Sequence, residues 1–360
     1  MSLQIGIVGL PNAGKSTLFN ALTRGHAAVA PYPFTTIDPN IGIASIPDQR
    51  LERVGALIHP EKVIPATVEF VDIAGLVRGA HRGEGLGNQF LGHIRNTHAV
   101  AVILRAFRDP DVAHVQAAVG PQQDLETLQM ELALADVATL DRRLEKVRGQ
   151  AKAKPREFEG EIALLEQARA ALNQGQSLPP NEREGLAGID LLTLKPKLYV
   201  INVGEEDLPE GGPLAQGVLA LAATQGVPTL ILSAQVEAVL VDWPPEEAAD
   251  YRRELGLEQS GLERLIVAGY GLLDLISYIT ATGTTAVRAW SLQRGGTAWD
   301  AAGQVHSDMQ RGFIRAEVIG AADLLATGSF AAARERGLLR LEGRDYVVQD
   351  GDVMHFRFNA

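Results

Sequence analysis

The clearest chemistry in this chain lies in eight consecutive residues, Gly9-Leu10-Pro11-Asn12-Ala13-Gly14-Lys15-Ser16. They fit the phosphate-loop pattern in full: a glycine, four residues, then Gly-Lys-Ser. The apolar run Leu3–Val8 precedes them, and a helical pattern with Leu18 and Leu22 on one face follows from Gly14–Lys15. Between a strand and a helix, such glycines let backbone N–H groups turn inward around phosphate oxygens, and the helix N-terminus adds positive potential. Lys15 is placed to reach the β- and γ-phosphates, and the Ser16 hydroxyl to ligate Mg²⁺. Asn12, Ala13, Gly14 and Thr17 complete the phosphate-binding set. A strand–helix turn that binds nothing is the bland alternative, and the full spacing in its right context argues against it.

A second group of residues supplies what a triphosphate site needs around that loop. Asp72-Ile73-Ala74-Gly75 ends the apolar run Ala66–Val71. A carboxylate there can hold the Mg²⁺ shell through water, and the Gly75 N–H can sense the γ-phosphate. Gly79, Gly83, Gly85 and Gly87 follow, which suits a loop that orders with triphosphate and relaxes after hydrolysis. Pro33-Phe34-Thr35-Thr36 offers a threonine to complete the metal shell. Taken alone, the first motif is an ordinary strand-end turn and the second a polar loop. Leu76 follows Gly75, where hydrolases of the Ras type place a glutamine that orients water, and leucine cannot hydrogen-bond. Another group positions the water, or turnover is slow.

The base site falls later in the chain. Asn202-Val203-Gly204-Glu205 follows the apolar run that starts at Lys197, and Ser233-Ala234-Gln235 follows the run Pro228–Leu232. Guanine-specific proteins carry Asn-Lys-x-Asp at the first of these places, where the aspartate accepts from both N1–H and the exocyclic amine of guanine. Here Val203 replaces the lysine and Glu205 the aspartate. The longer side chain displaces its oxygens, so the fork onto guanine is expected to fail, and sites built to bond one group discriminate strongly. Adenine offers its N6 amine to Asn202 or to a backbone carbonyl, with Ser233, Ala234 and Gln235 backing the base. The reading is a Mg²⁺-dependent nucleoside triphosphatase that favours ATP over GTP.

The elements that position these residues alternate. Short runs rich in Ile and Val, at Leu3–Val8, Ala66–Val71, Ala99–Leu104, Lys197–Val203 and Pro228–Leu232, read as strands buried on both faces with helices between several of them. That predicts a doubly wound α/β domain over residues 1–123 and 196–276, with functional loops at the carboxyl ends of its strands. Residues 124–195 break the pattern. Leu125, Leu128, Leu132, Val137, Leu140, Leu144 and Val147, then Ile162, Leu165, Ala168 and Leu172, recur at helical spacing and predict an inserted antiparallel hairpin. Residues 277–360 predict a small α+β domain: a strand Ala286–Leu292, a helical stretch Thr297–Arg311, a strand Phe313–Ile319, and a hairpin of Tyr346–Val348 and Val353–Phe358 about Asp350–Gly351.

The whole chain narrows the possibilities. Its 360 residues, 46% apolar and 21% charged, make a folded protein of two or three domains. It has no cysteine, which removes disulfides, thiolate metal sites and a cysteine nucleophile. No signal peptide is evident, and Ala99–Leu104 is too short to cross a bilayer, so a cytoplasmic location and no membrane partner are expected. A formal net charge of −11 argues against DNA and against bare nucleic acid in general. The exception is the run Arg142, Arg143, Lys146, Arg148, Lys152, Lys154 and Arg156, near the expected hairpin tip. It reads either as an RNA contact or as a solvated helix face.

Over essentially its whole length the chain resembles the YchF (Obg-like ATPase) family. Gly9–Ser16, Tyr32–Thr36, Asp72–Gly75, Gly85–Phe90, Asn202-x-x-Glu205, Arg311–Val318 and Asp350–Phe358 carry the resemblance. The phosphate motifs are shared with many GTPases; Asn-x-x-Glu and the two C-terminal stretches make the match specific. The resemblance implies a P-loop nucleotide domain of the GTPase-like class, an inserted coiled coil and a C-terminal β-grasp (TGS) domain. It also implies ATP hydrolysis and association with the ribosome, through its large subunit or the whole particle, and its RNA. Resemblance to related GTPases favours Thr36 over Thr35 as the metal ligand. It points to His114 as the group that positions water, with His81 the weaker competitor. Asn12 is placed either to hold a K⁺ that offsets developing charge or only to stabilise its loop. A GTPase of the same fold, and a ribosome-binding scaffold with incidental hydrolysis, are the competing readings.

Overall fold

The computed structural model describes residues 3–29, 40–73, 86–109, 119–178, 180–282 and 285–359. Their strands, in chain order, are β1 (Gln4–Val8), β2 (Ala27–Val29), β3 (Asn40–Ser45), β4 (Lys62–Ile64), β5 (Thr67–Asp72), β6 (Ala99–Ala106), β7 (Lys197–Val203), β8 (Thr229–Leu232), β9 (Leu275–Thr282), β10 (Ala286–Gln293), β11 (Phe313–Gly320), β12 (Arg340–Glu342) and β13 (Asp352–Phe358). The chain divides into two compact units, Met1–Gly42 with Glu69–Leu265, and Ile43–Val68 with Ile266–Ala360.

The first unit is built on a seven-stranded sheet of order β2-β3-β5-β1-β6-β7-β8. The pairs β1–β5, β1–β6, β6–β7 and β7–β8 are parallel. β6 is buried at every residue and β7 at all but its first, which is why both read as unbroken apolar runs. The strand order reverses beside β1. Loops leaving the carboxyl ends of β1, β5, β7 and β8 therefore open on one edge of the sheet, the usual location for ligands in such folds.

The inserted hairpin is present, but it is not a separate body. Its first helix, Pro121–Ala151, has 31 residues and so runs about 46 Å. Leu125, Leu128, Leu132 and Ala135 pack into the core beside the sheet. Farther along, Leu140, Leu144 and Val147 pack with Leu165, Ala168 and Leu172 of the returning helix Pro155–Asn173. One helix thus joins two cores. At the hairpin's base the buried Asp136 carboxylate accepts from the backbone N–H groups of Leu192 (2.9 Å) and Thr193 (2.8 Å) and from the Thr193 hydroxyl (2.7 Å). That clamp returns the chain to β7.

The second unit holds a six-stranded sheet of order β12-β11-β13-β9-β10-β4. Its five C-terminal strands lie, by chain position, second, first, fifth, third, fourth, with β9 and β13 parallel between two antiparallel pairs. This is a β-grasp. The helix Ala298–Val305 buries Ala298, Ala301 and Ala302 against Tyr278, Leu292, Val318 and Phe356. Thr297 and Asp300 form a capping box at its start.

Residues 43–68 group with the C-terminal strands, where β4 pairs with β10. One expectation is corrected here. The expected hairpin about Asp350–Gly351 does not form: β13 pairs with β11 and β9, and Val347 makes only an isolated bridge to Thr297. Asp350 is instead a junction. Its carboxylate accepts from Ser277 N (2.9 Å) and from the Arg50 guanidinium (2.8 Å), drawing the turn away from its local partner.

Candidate functional site

The phosphate loop leaves β1 and opens the helix Lys15–His26. Asn12 has φ 63° and Gly14 φ 90°, two left-handed residues in one short turn. A side chain at Gly14 would also strike the Asn202 amide, so glycine is required there twice over. The first helical turn carries no acidic residue that would compete for its free N–H groups. Asn12, Ser16 and Thr17 are exposed, while Ala13 and Lys15 are buried. The Lys15 ammonium donates to the Leu10 carbonyl at 2.8 Å. Burial pulls its pKa down to about 8, opposed by the charge of Asp72. A desolvated amine held on the loop's own carbonyl is poised to exchange that partner for a phosphate oxygen.

Asp72 ends β5, directly beside Ile7 of β1. Burial raises its carboxyl pKa, and Lys15 draws it back. Carboxylate and amine are near enough for each to act on the other's charge. With Ser16 exposed at the adjoining helix start, the described donors are a hydroxyl and a carboxylate. That hard-oxygen set suits Mg²⁺, which keeps water and substrate phosphate as its other ligands. Among the described residues no cluster of three His, Cys, Asp or Glu forms a softer metal site.

The residues expected to read the base come together, and several of them bond within the protein. Asn202, 2% exposed at the end of β7, donates from Nδ2 to the Ala13 carbonyl at 2.9 Å. Its Oδ1 accepts from the Ala234 N–H, also at 2.9 Å. It is a strut between the phosphate loop and the loop after β8, and its oxygen is already engaged. Val203 turns its side chain into the core and contributes no surface to a base. Ser233 is buried and caps the helix Ala234–Leu240 through Val236 N. Glu205 and Gln235 are the exposed side chains of the set.

The sequence reading missed Tyr251. Its hydroxyl donates to Glu205 Oε1 at 2.6 Å. It stands on the helix Pro245–Glu254, with its ring 5.4 Å from that of Trp243. No local spacing signals a partner 46 residues downstream.

Gly75, Thr35, Thr36, His81 and His114, with Leu76, lie outside the described residues. The stem that leads to His114 is described. Buried Arg105 stacks 4.7 Å from the Phe107 ring centre and donates to the carbonyls of Phe107 and Asp109.

Comparison with known proteins bears on the whole chain. A family profile described as "50S ribosome-binding GTPase" matches residues 4–149. The profile of the YchF GTPase C-terminal domain, described as "Protein of unknown function (DUF933)", matches residues 275–359. The "Ribosome-binding ATPase YchF" of Bacillus subtilis is 45% identical over 367 residues, covering 100% of both chains. The protein of the same name from Escherichia coli O157:H7 is 44% identical over 365 residues, again with full coverage. The chain belongs to the YchF family. The solved Schizosaccharomyces pombe YchF GTPase superposes with a TM-score of 0.86 at 32% identity, covering 99% of this chain and 98% of that one. A P-loop nucleotide domain and a C-terminal domain are therefore common to this chain and its YchF relatives.

The YchF relatives are named ATPases in bacteria, whereas the solved structure is titled a GTPase.

The basic run of this YchF chain spans the hairpin tip, between helices that end at Ala151 and start at Pro155. Much of it is neutralised: Arg143 pairs with Glu161, Arg148 with Glu166 and Lys154 with Glu157. Lys146, Lys152 and Arg156 make no ion pair among the described residues. No helix of the described residues is long and apolar enough to cross a membrane.

Proposed function

We propose that this chain is a Mg²⁺-dependent ATPase that switches with its nucleotide and binds the ribosome. The observation that carries the reading is the single edge of the sheet on which the phosphate loop, Asp72, Asn202 and Ala234 meet, with Glu205 where a guanine-reading aspartate would stand. Asn12, Ala13, Gly14 and Thr17 cradle phosphate with their backbone N–H groups. Lys15 leaves the Leu10 carbonyl for the β- and γ-oxygens and holds its proton there. Ser16 and Thr36 would ligate Mg²⁺ directly and Asp72 would hold it through water. The ion would supply positive charge against the phosphates. The Gly75 N–H senses the γ-phosphate.

With Leu76 unable to orient water, His114 takes that part. Asn12 would hold a K⁺ that offsets developing charge. A His114→Ala chain with undiminished turnover removes the first role, and equal rates in K⁺ and Na⁺ remove the second.

For the base, the strut function of Asn202 leaves adenine to the backbone about Ser233–Gln235 and to the surface beside Glu205. The ribosome partner rests on the relatives' names, and RNA contact on Lys146, Lys152 and Arg156 at the hairpin. The deciding experiment is displacement of a mant-labelled adenine nucleotide by ADP and by GDP in Mg²⁺ buffer. ADP is expected to bind more tightly, by tenfold or more on the order of one lost charged hydrogen bond. GDP binding equal to or tighter than ADP overturns the ATPase reading in favour of a GTPase.

A further inference from the structure

A carboxylate that reads guanine must offer both oxygens at once, one to N1–H and one to the exocyclic amine. Glu205 comes to that task with one of its oxygens already engaged. Oε1 accepts from the Tyr251 hydroxyl at 2.6 Å, a short bond to a charged acceptor. To grip guanine with both oxygens, the carboxylate must turn from the orientation in which Tyr251 holds it or share Oε1 between two donors. Adenine presents an acceptor, N1, where guanine presents N1–H, so it makes no such demand.

The fold holds the tyrosine in place independently of Glu205. Its ring leans on Trp243 at 5.4 Å with the planes 57° apart. It also packs with Leu208 and Leu255 on the small core of Val236, Leu240 and Ala248. Leu208 closes the 3₁₀ turn Glu205–Asp207, and Val236 lies in the first turn of the helix that follows Ser233. One apolar cluster therefore binds together the Glu205 turn, the loop backing the base and the helix that carries Tyr251.

We infer that Tyr251 is a specificity-determining positioning residue: by holding the Glu205 carboxylate it withholds the guanine fork and widens the preference for adenine nucleotides. The inference rests on the ATPase reading above and adds the residue that enforces it. The same bond leaves a second trace, because donation to Glu205 pushes the Tyr251 phenol pKa up.

Removing the hydroxyl alone tests this. Tyr251→Phe keeps the ring and its packing, so the fold is retained. ADP and GDP are titrated against a mant-labelled adenine nucleotide on the full chain, on Tyr251→Phe, on Glu205→Ala and on the double variant. Tyr251→Phe is expected to leave ADP affinity within about twofold and to tighten GDP by roughly three- to tenfold, the worth of one surface hydrogen bond. On the Glu205→Ala background the same change is expected to leave the ADP-to-GDP ratio where it was. A ratio unmoved by Tyr251→Phe overturns the inference. So does an equal shift with and without Glu205, since the ring and not the carboxylate would then be responsible. An unaltered chain that prefers GDP sinks the ATPase reading instead, and the two failures are told apart in one experiment.

Discussion

Replacing Asn202 by alanine separates a strut from a base reader. Asn202, Ala13 and Ala234 are 2%, 2% and 1% exposed, so no water can take over the two bonds that the side chain makes. The substitution leaves the Ala13 carbonyl and the Ala234 N–H buried without these partners. Each orphaned group costs about 1–3 kcal/mol, so the expected loss is about 2–6 kcal/mol. For a body of this size that lowers the melting temperature by roughly 5–15 °C. The assay is thermal unfolding of the nucleotide-free protein, paired with ADP and GDP affinities of the same variant below its transition. The strut ties the phosphate loop to the loop behind the base, so both affinities are expected to fall by one factor and their ratio to stay within about twofold. Unchanged unfolding together with a selective loss of ADP would refute the reasoning, because Asn202 would then be bonding adenine and not the protein.

Two further outcomes follow from the same physics. Lys15 is depressed in the fold, from 10.5 to about 8. Between those values the unfolded chain binds the extra proton, so the nucleotide-free protein gains stability as pH rises through that window, by about 3 kcal/mol at most. Urea midpoints at pH 7.5 and 9.5 are expected to show this rise relative to Lys15→Met, which lacks the group; parallel curves for the two proteins would remove the claim. Asp136→Ala strips the clamp at the base of the hairpin and orphans two backbone N–H groups, for a loss of about 2–6 kcal/mol. Denaturant unfolding should record that loss while the adenine preference stays intact; no change in the midpoint would mean that the return to β7 is held elsewhere.

Much was legible where the chemistry is contiguous. The phosphate loop needs only a strand, a left-handed turn and a helix start, all within residues 4–26, and each leaves its mark in residue type. Asp72 was legible for the same reason, as a polar residue ending a buried strand. The hairpin's apolar stripe also reads directly, since Leu140, Leu144 and Val147 face the returning helix at helical spacing. What periodicity conceals is that Leu125, Leu128 and Leu132 of that stripe face a different core.

Tertiary structure alone decided the rest. Asn202 appears as one polar residue at a strand end, and the sequence cannot tell a base reader from a strut. Its partners lie 189 and 32 residues away, and only the parallel order β1-β6-β7-β8 brings them to one edge. Glu205 was marked by type, but Tyr251 became its partner only because an apolar cluster docks the helix Pro245–Glu254 beside it. The pairing of β13 with β9 instead of with residues 346–348 has the same origin. Local residues determine which turns and helices are possible, because their sterics and bonds close within a few positions. Which distant donor meets which acceptor is set by burial of apolar surface, and that is a property of the whole fold.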